Sequence, residues 1–594
     1  MRRFFCCVVA LGLLSGCASE TEYFGTTDPP LIQRVVFENH GEPETLDPTR
    51  AILSSEWTTL GSLFEGLVTN NPVTLKPMAG MATHYETNSD NTQFTFYLRG
   101  HPQPRGIALP TTDDLRFDFE EGRIPEDFSR GLSAPPADIP ARWSDGQIVT
   151  AHDFVFSWQR LMAPQTASAN AIYAYFIKNA ETINKGRKKI DELGVRALDD
   201  FTFQVDLRSP TPFFLKTLWQ PFYAPLPRHA IQSTDTTADS RWTHRGAIVG
   251  NGPFLLVDWK PYERIMVRKN PQYYEKDLVS LAELVFLPVS DAPSYVNLYK
   301  AGEADLQDGI NIPKFFLPLL RAKKDFHSVP AFYTVSYAIN VTKPPLNNVY
   351  LRYALNMATD KASISNLHGT ESALSFVPDH EEYKHPESLT VRVEDKTYDI
   401  LAHDPAGARE LLALAGFPNG LDRSGKRLTF DINFVKSPME RVPEILQQQW
   451  RNTLNIDVRP SLKETKVAYQ SQVDLTYAGL MEGGWFGTYL DPDSFLLRFT
   501  TGSTYNGTGW SDPVYDRMLA DANMTIDPVE RMQKLAETEA YMLRAMPILP
   551  ILHDTLNYLQ KPYIHGFRHS TLGMPTCFKY TWVDLKKPAV GVSR

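Results

Sequence analysis

The sequence predicts a mixed α/β architecture divided into more than one lobe. Short segments of period-two strand patterning alternate with short segments of helical periodicity along most of the chain. The 594 residues give ample length for a large core, and length alone points to two to four lobes.

The N-terminal stretch stands apart from this pattern. Arg2-Arg3 precede an apolar run from Phe4 to Leu14, which leads into Leu14-Ser15-Gly16-Cys17. A basic start, a short apolar run and small residues before a cut describe a secretory signal. The run is too short to span a membrane, which takes roughly 20 apolar residues, and no second long apolar run follows. Removing Arg2 and Arg3 takes the net charge from −9 to −11, and a mildly acidic chain of interspersed signs gives no support to nucleic-acid binding. Residues 18–30 are polar, end in Pro-Pro and read as a tether. Leu-Ser-Gly-Cys resembles a bacterial lipobox, which implies that residues 1–17 are a lipoprotein signal and that Cys17 is the lipidated first residue. More than one acyl chain suffices for stable anchoring. Cys6 and Cys7 would leave with the signal, so Cys577 is the one thiol left and no intramolecular disulfide is expected.

Within the body, Val35-Val36-Phe37 starts a strand and leads to the turn-rich Gly41–Pro48. Leu63–Leu67 (LFEGL) ends a helix at Gly66. Phe94, Phe96 and Leu98 alternate with Thr95, Tyr97 and Arg99, a strand. Residues 101–142 hold seven prolines, eight acidic residues and five arginines with no period, and read as a surface excursion. Trp143–Leu161 follows. Ser144-Asp145-Gly146 is turn chemistry, Thr150 is placed to cap a helix with Asp153 as its acidic partner, and Phe154, Trp158 and Leu161 form one apolar face. That spacing favours a scaffold role for the stretch.

Farther on, Phe201–Leu207 is a strand after a turn. Gly250-Asn251-Gly252-Pro253 is a sharp turn whose glycines let the backbone approach a ligand or another strand. Asn348 is placed to cap a helix carrying Leu351, Ala354, Leu355 and Ala358. Asp404 is placed to cap Pro405–Ala415, stopped at Gly416. Residues 440–451 read as a helix and Ile456–Val458 as a strand.

Several of these strings together resemble the oligopeptide-binding proteins of ABC importers, solute-binding family 5. They include Leu46-Asp47-Pro48, Leu63–Leu67, the Phe94–Arg99 strand, the WSDG stretch, Gly250–Phe254 and the Asn340–Asp360 run. The resemblance extends from about residue 33 to 585, broken chiefly by 101–142. It implies a periplasmic-binding-protein-like fold, two main lobes closing on a hinge plus an extra lobe. Lobe I would comprise 31–75, 195–288 and 553–594, lobe II 76–194, and lobe III 289–552. It further implies a lipid-anchored protein of the cell envelope, facing the periplasm or the extracellular space. Such a protein would work as a monomer, pass peptides to the permease subunits of an ABC transporter, and have no cofactor, metal or catalytic residue.

The candidate ligand site is implied in the same way. In the family, the loop corresponding to Tyr477–Phe499 lies in the cleft. An Asp three residues after its Trp meets the peptide's ammonium, and in close relatives an Arg three residues before it meets the carboxylate. Around Trp485 these positions hold Thr488 and Glu482, so both charge anchors differ, leaving Glu482 or Asp491 to take the cation or the ligand to lack a free amino terminus. Asp491 also reads as a plain turn residue before Pro492. Pro43, Glu44, Thr45, Tyr173, Tyr175, Asn251 and Gly252 complete the implied cleft lining. An extended peptide would bind there by main-chain hydrogen bonds, with roomy wet pockets for varied side chains.

No G-x-S-x-G elbow or phosphate-binding glycine loop is present. His380–His385 has Lys384 where a zinc helix needs its second histidine, and Pro378 and Pro386 bracket it. A non-peptide or metal-chelate carrier of the same fold, or a sensor uncoupled from import, stays open as an alternative.

Overall fold

The computed structural model describes residues 22–586 except 116–133, 232–240, 308–311, 438, 504 and 574–577. The signal segment with Cys17, the middle of the Pro-rich excursion and Cys577 therefore lie outside the described residues.

Three sheets of five or six strands organise the chain. The first has the order Leu306–Gln307, Arg34–Glu38, Glu283–Leu287, Arg264–Lys269, Phe254–Lys260. Arg34–Glu38 lies parallel to both neighbours, and the other two pairings are antiparallel. The second is antiparallel throughout, in the order Ile107–Ala108, Ala82–Thr87, Gln93–Leu98, Thr202–Asp206, Val195–Asp199. The third has the order Glu371–Ser372, Ile548–Leu559, Phe326–Ile339, Leu480–Phe486, Thr429–Val435, Asp457–Lys463.

Two large apolar cores result. One unites the first two sheets with the WSDG helix and includes Val35, Phe37, Phe96, Trp158, Phe203 and Phe286. The other packs the third sheet against its helices, with Leu351, Leu411, Trp450, Leu480 and Leu552 buried. The chain passes between them near residues 305–326 and again near 560. These passages are tied together. Asp305 accepts from Val36 N–H at 2.7 Å and from the Tyr563 hydroxyl at 2.7 Å, and Lys561 Nζ donates to the Tyr299 carbonyl at 2.7 Å.

Two of the expected lobe boundaries fall within sheets. Thr202–Asp206 pairs with Gln93–Tyr97 on one side and with Val195–Asp199 on the other, so the 194/195 division between lobes I and II runs through a sheet. His553–Leu559 pairs with Phe326–Thr334, so the 552/553 division falls inside one continuous strand. The excursion is anchored at its ends: Ile107–Ala108 pairs with His84–Tyr85, and Leu109, Leu115 and Ala141 are buried. The described part of the tether is docked rather than free. Phe24 N–H donates to the Asp325 carboxylate at 3.0 Å, and its ring joins a cluster with Tyr299 and Leu559.

The WSDG stretch folds as its spacing predicts. Ala151–Met162 is a helix capped at Thr150, whose N–H donates to Asp153 Oδ2 at 2.9 Å. Trp143, Phe154, Trp158 and Leu161 are buried, and Trp158 Nε1 donates to the Tyr223 carbonyl at 2.9 Å. Asn348 and Asp404 cap Val349–Met357 and Pro405–Leu414 through side-chain bonds to backbone N–H groups. The helix expected at 440–451 covers Val442–Leu454, and the strand expected at Ile456–Val458 extends to Lys463.

Candidate functional site

The strand Leu480–Phe486 is the centre of the site. It pairs antiparallel with Tyr333–Ile339 along its whole length, but with Thr429–Val435 only at Leu480 and Met481. Beyond Met481 its far edge has no strand neighbour among the described residues. Gly487 N–H donates to the Phe332 carbonyl at 2.9 Å. Antiparallel ladders alternate bonded and non-bonded pairs. The main-chain groups of Trp485 and Gly483 therefore face Phe326–Ile339, while those of Gly484 and Phe486 face the open edge. Gly484 is required where it stands, because a Cβ there would lie 1.7 Å from the Tyr333 hydroxyl. Tyr333 covers the strand and stacks on Phe486 with ring centroids 4.1 Å apart.

Cavities flank this edge. One of about 230 Å³ is lined by Tyr333, Ser437, Glu482, Gly484, Phe486 and Asp554, among others. A second of about 280 Å³ lies between the two cores, lined by Ile52, Trp57, Trp219, Phe486, Thr488 and Leu572, with others. Phe486 borders both. Trp57 and Trp219 also line a third cavity of about 120 Å³ that reaches Phe64 and Glu65. The three form a chain of hollows across the interface, apolar in lining with a few polar groups, as ligand sites commonly are.

The expected residues fall into three groups. Glu482 and Thr488 line this chain of hollows. Glu482 accepts from the Ser437 hydroxyl at 2.8 Å, and burial pushes its carboxyl up to about 6. The Thr488 hydroxyl is shielded and has no hydrogen bond, and its carbonyl accepts from Gln220 Nε2 at 2.9 Å across the interface. Trp485 is half-buried behind the strand; its Nε1 donates to the Ser494 carbonyl at 2.7 Å, and Tyr505 meets it edge to face.

Tyr173 and Tyr175 line a separate groove of about 690 Å³ with Arg208, Phe213, Tyr489 and Tyr505. The Tyr175 hydroxyl donates to Asn184 Oδ1 at 2.8 Å. The structure does not bring these tyrosines into the hollows around Glu482.

The remaining six residues make their contacts within the scaffold. Glu44 and Thr45 N–H groups both donate to Glu56 Oε1 at 3.0 Å, and Pro43 is buried beside them. Asn251 is buried and clamps Glu65, accepting from its N–H at 3.1 Å and donating to its carbonyl at 2.8 Å. Gly252 lets one backbone approach another: a Cβ there would stand 2.6 Å from the Leu63 carbonyl carbon. Asp491 is fully buried and held by Arg531 through bonds of 2.7 and 2.8 Å. Burial opposes its charge, yet Arg531 and then Lys216 hold the carboxyl below the usual range. Its charge is met inside the protein, which removes it as the ligand's counter-ion.

Trp57, Trp219, Tyr333 and Phe486 were missed. Each is an aromatic in a segment whose period is core-like, and nothing local marks it as facing a cavity. Glu381 and Glu382, from the His380–His385 segment, pair across the interface with Lys76 at 3.4 Å and Lys216 at 2.5 Å.

Two cores joined by paired crossings, with a hollowed interface beside an open strand edge, define a binding protein of the periplasmic-binding-protein type. The chain belongs to the bacterial extracellular solute-binding proteins, family 5, whose model matches residues 140–507. It is 30% identical to the periplasmic oligopeptide-binding protein OppA of Salmonella typhimurium over 546 residues, 90% of each chain. The solved structure of the Escherichia coli murein tripeptide binding protein MppA matches with a TM-score of 0.71 at 26% identity, covering 94% of this chain and 99% of that one. Haemophilus influenzae OppA in complex with the peptide RPPGFSPFR matches at 0.70 and 26%, covering 94% and 100%.

Proposed function

We propose that this protein captures peptides between its two cores and delivers them to the permease of an ABC importer. The observation that carries the reading is the open edge at Gly484–Phe486. An extended peptide added there gains main-chain hydrogen bonds whatever its sequence. The adjoining hollows then receive side chains, with Trp57, Trp219 and Phe486 as apolar walls. Peptide-binding relatives over nearly the whole chain support the same reading. The site's chemistry is binding, and no catalytic role is assigned to it.

The protein acts from the outer side of a membrane, as a lipoprotein held through Cys17. The Phe4–Leu14 run and the Leu14–Cys17 string support this, and among the described residues no helix is long and apolar enough to cross a membrane. Cys17→Ser is expected to move the protein from the membrane fraction to the soluble fraction; retention in the membrane would refute the anchor.

Native mass spectrometry of the chain begun after Cys17, purified without denaturation, tests the ligand. A spread of bound masses that fragment as peptides is expected. A single non-peptide mass would overturn the assignment in favour of a specialised carrier.

A further inference from the structure

The hollow beside Glu482 carries a charge pattern that the peptide reading alone does not require. Glu482 lines the cavity of about 230 Å³. Its Oε1 accepts from the Ser437 hydroxyl, but Oε2 is shielded from solvent and makes no hydrogen bond. Asp554 lines the same cavity, accepting from the Thr555 N–H at 2.8 Å. None of the described residues lining it is a lysine or an arginine. One wall is the stacked pair Tyr333 and Phe486, whose ring faces attract cations. The volume far exceeds the roughly 10–15 Å³ that admits one water. A shielded carboxylate oxygen without a partner is costly unless a cation or donor meets it.

We propose that this cavity is a subsite for a positively charged group of the ligand, an ammonium or guanidinium, with Glu482 as its counter-ion. The inference rests on the cleft assignment above. It makes Glu482 a specificity-determining residue and cationic peptides the favoured class. The charge has two sources, a peptide's free amino terminus or a lysine or arginine side chain, and the same chemistry recognises both.

Isothermal titration with tri- to pentapeptides separates these sources. Each peptide carries either lysine or the uncharged norleucine, with a free or an acetylated amino terminus. In the native protein, replacing lysine by norleucine, or acetylating the terminus, is expected to weaken binding about 10- to 100-fold, the range of a charge-assisted hydrogen bond. Whichever discrimination appears should vanish in Glu482→Gln, which keeps the shape of the side chain, and invert in Glu482→Lys. Binding without either discrimination, or discrimination that survives Glu482→Gln, would overturn the inference and leave the peptide reading standing. Failure of the native protein to bind any of the peptides would overturn both.

Discussion

Glu482 and Lys361 show what burial does to single charges in this protein. Burial raises the Glu482 carboxyl to about 6, and Ser437 with the Val435 backbone only partly offsets it. The charged or titratable groups facing it are Glu440, Asp554, Tyr333 and Tyr337, and burial keeps both tyrosines neutral. A cation binds the ionised carboxylate, so binding that depends on Glu482 takes hold as pH rises through about 6. Below that it weakens by about tenfold per pH unit, the slope of a single proton. Affinity for a lysine peptide between about pH 5 and 8 should follow this course, and a flat profile would contradict it. Lys361 is buried, donates to the Ala373 carbonyl at 2.9 Å, and has its pKa pulled down to about 7 by burial. Its folded pKa lies below its unfolded value, so the penalty is full below pH 7 and disappears above the unfolded lysine pKa of about 10.4. Lys361→Met is therefore expected to raise stability by about 1–3 kcal/mol at neutral pH, with the gain shrinking toward alkaline pH. Denaturant melts at several pH values check the sign.

The family resemblance, counted from Trp485, pointed to Glu482 and Thr488, and both line the hollows. It left Asp491 open between ligand and turn, since its partner Arg531 is forty residues on and no local pattern joins them. Tyr173 and Tyr175 were aromatics of the right kind, but which groove they line depends on how the two cores meet, which periodicity does not encode.

Among the elements, the caps and the WSDG helix were legible because each signal is local. Thr150 with Asp153, Asn348 and Asp404 need only their own turn of helix. Sheet membership was not legible. The strand pattern at Phe201–Leu207 was clear, but nothing in it points to Gln93–Leu98 as its partner. The Gly250–Gly252 turn left two possibilities, and the structure resolves them in favour of close backbone packing against Leu63–Glu65. Gly252→Ala should destabilise the fold, because the added Cβ meets backbone and not a mobile side chain. Asn251→Ala should cost about 2–4 kcal/mol, the loss of two buried hydrogen bonds that leaves backbone groups unpaired. Both are read from chemical denaturation, and peptide affinity measured under native conditions should change little. A loss of affinity without loss of stability would return Asn251 and Gly252 to the ligand site.

At the scale of the whole molecule, ion pairs and an aromatic stack are among the contacts that bridge the two cores. Lys216 reaches Glu382 at 2.5 Å and Asp491 at 3.8 Å, Lys76 reaches Glu381, and Phe213 stacks on Tyr489 with centroids 5.4 Å apart. Most of these charges are partly exposed, where an ion pair is worth little and salt screens it. An arrangement held in part by such pairs is one whose population a ligand touching both sides can shift. Lys216→Met is expected to shift the ligand-free protein toward an open form, with a rise of roughly 1 Å over a compact-chain radius of gyration near 25 Å. Small-angle scattering with and without peptide reads the shift, and an unchanged radius would assign closure to the remaining contacts.

The most direct test of peptide capture at the Gly484–Phe486 edge is a crystal structure of the protein carrying its co-purified ligand. Extended main-chain density alongside Gly484 and Phe486 is expected, within hydrogen-bond distance of their N–H and carbonyl groups. A ligand lodged instead in the groove of Tyr173 and Tyr175, or one with no peptide backbone at the open edge, would contradict it.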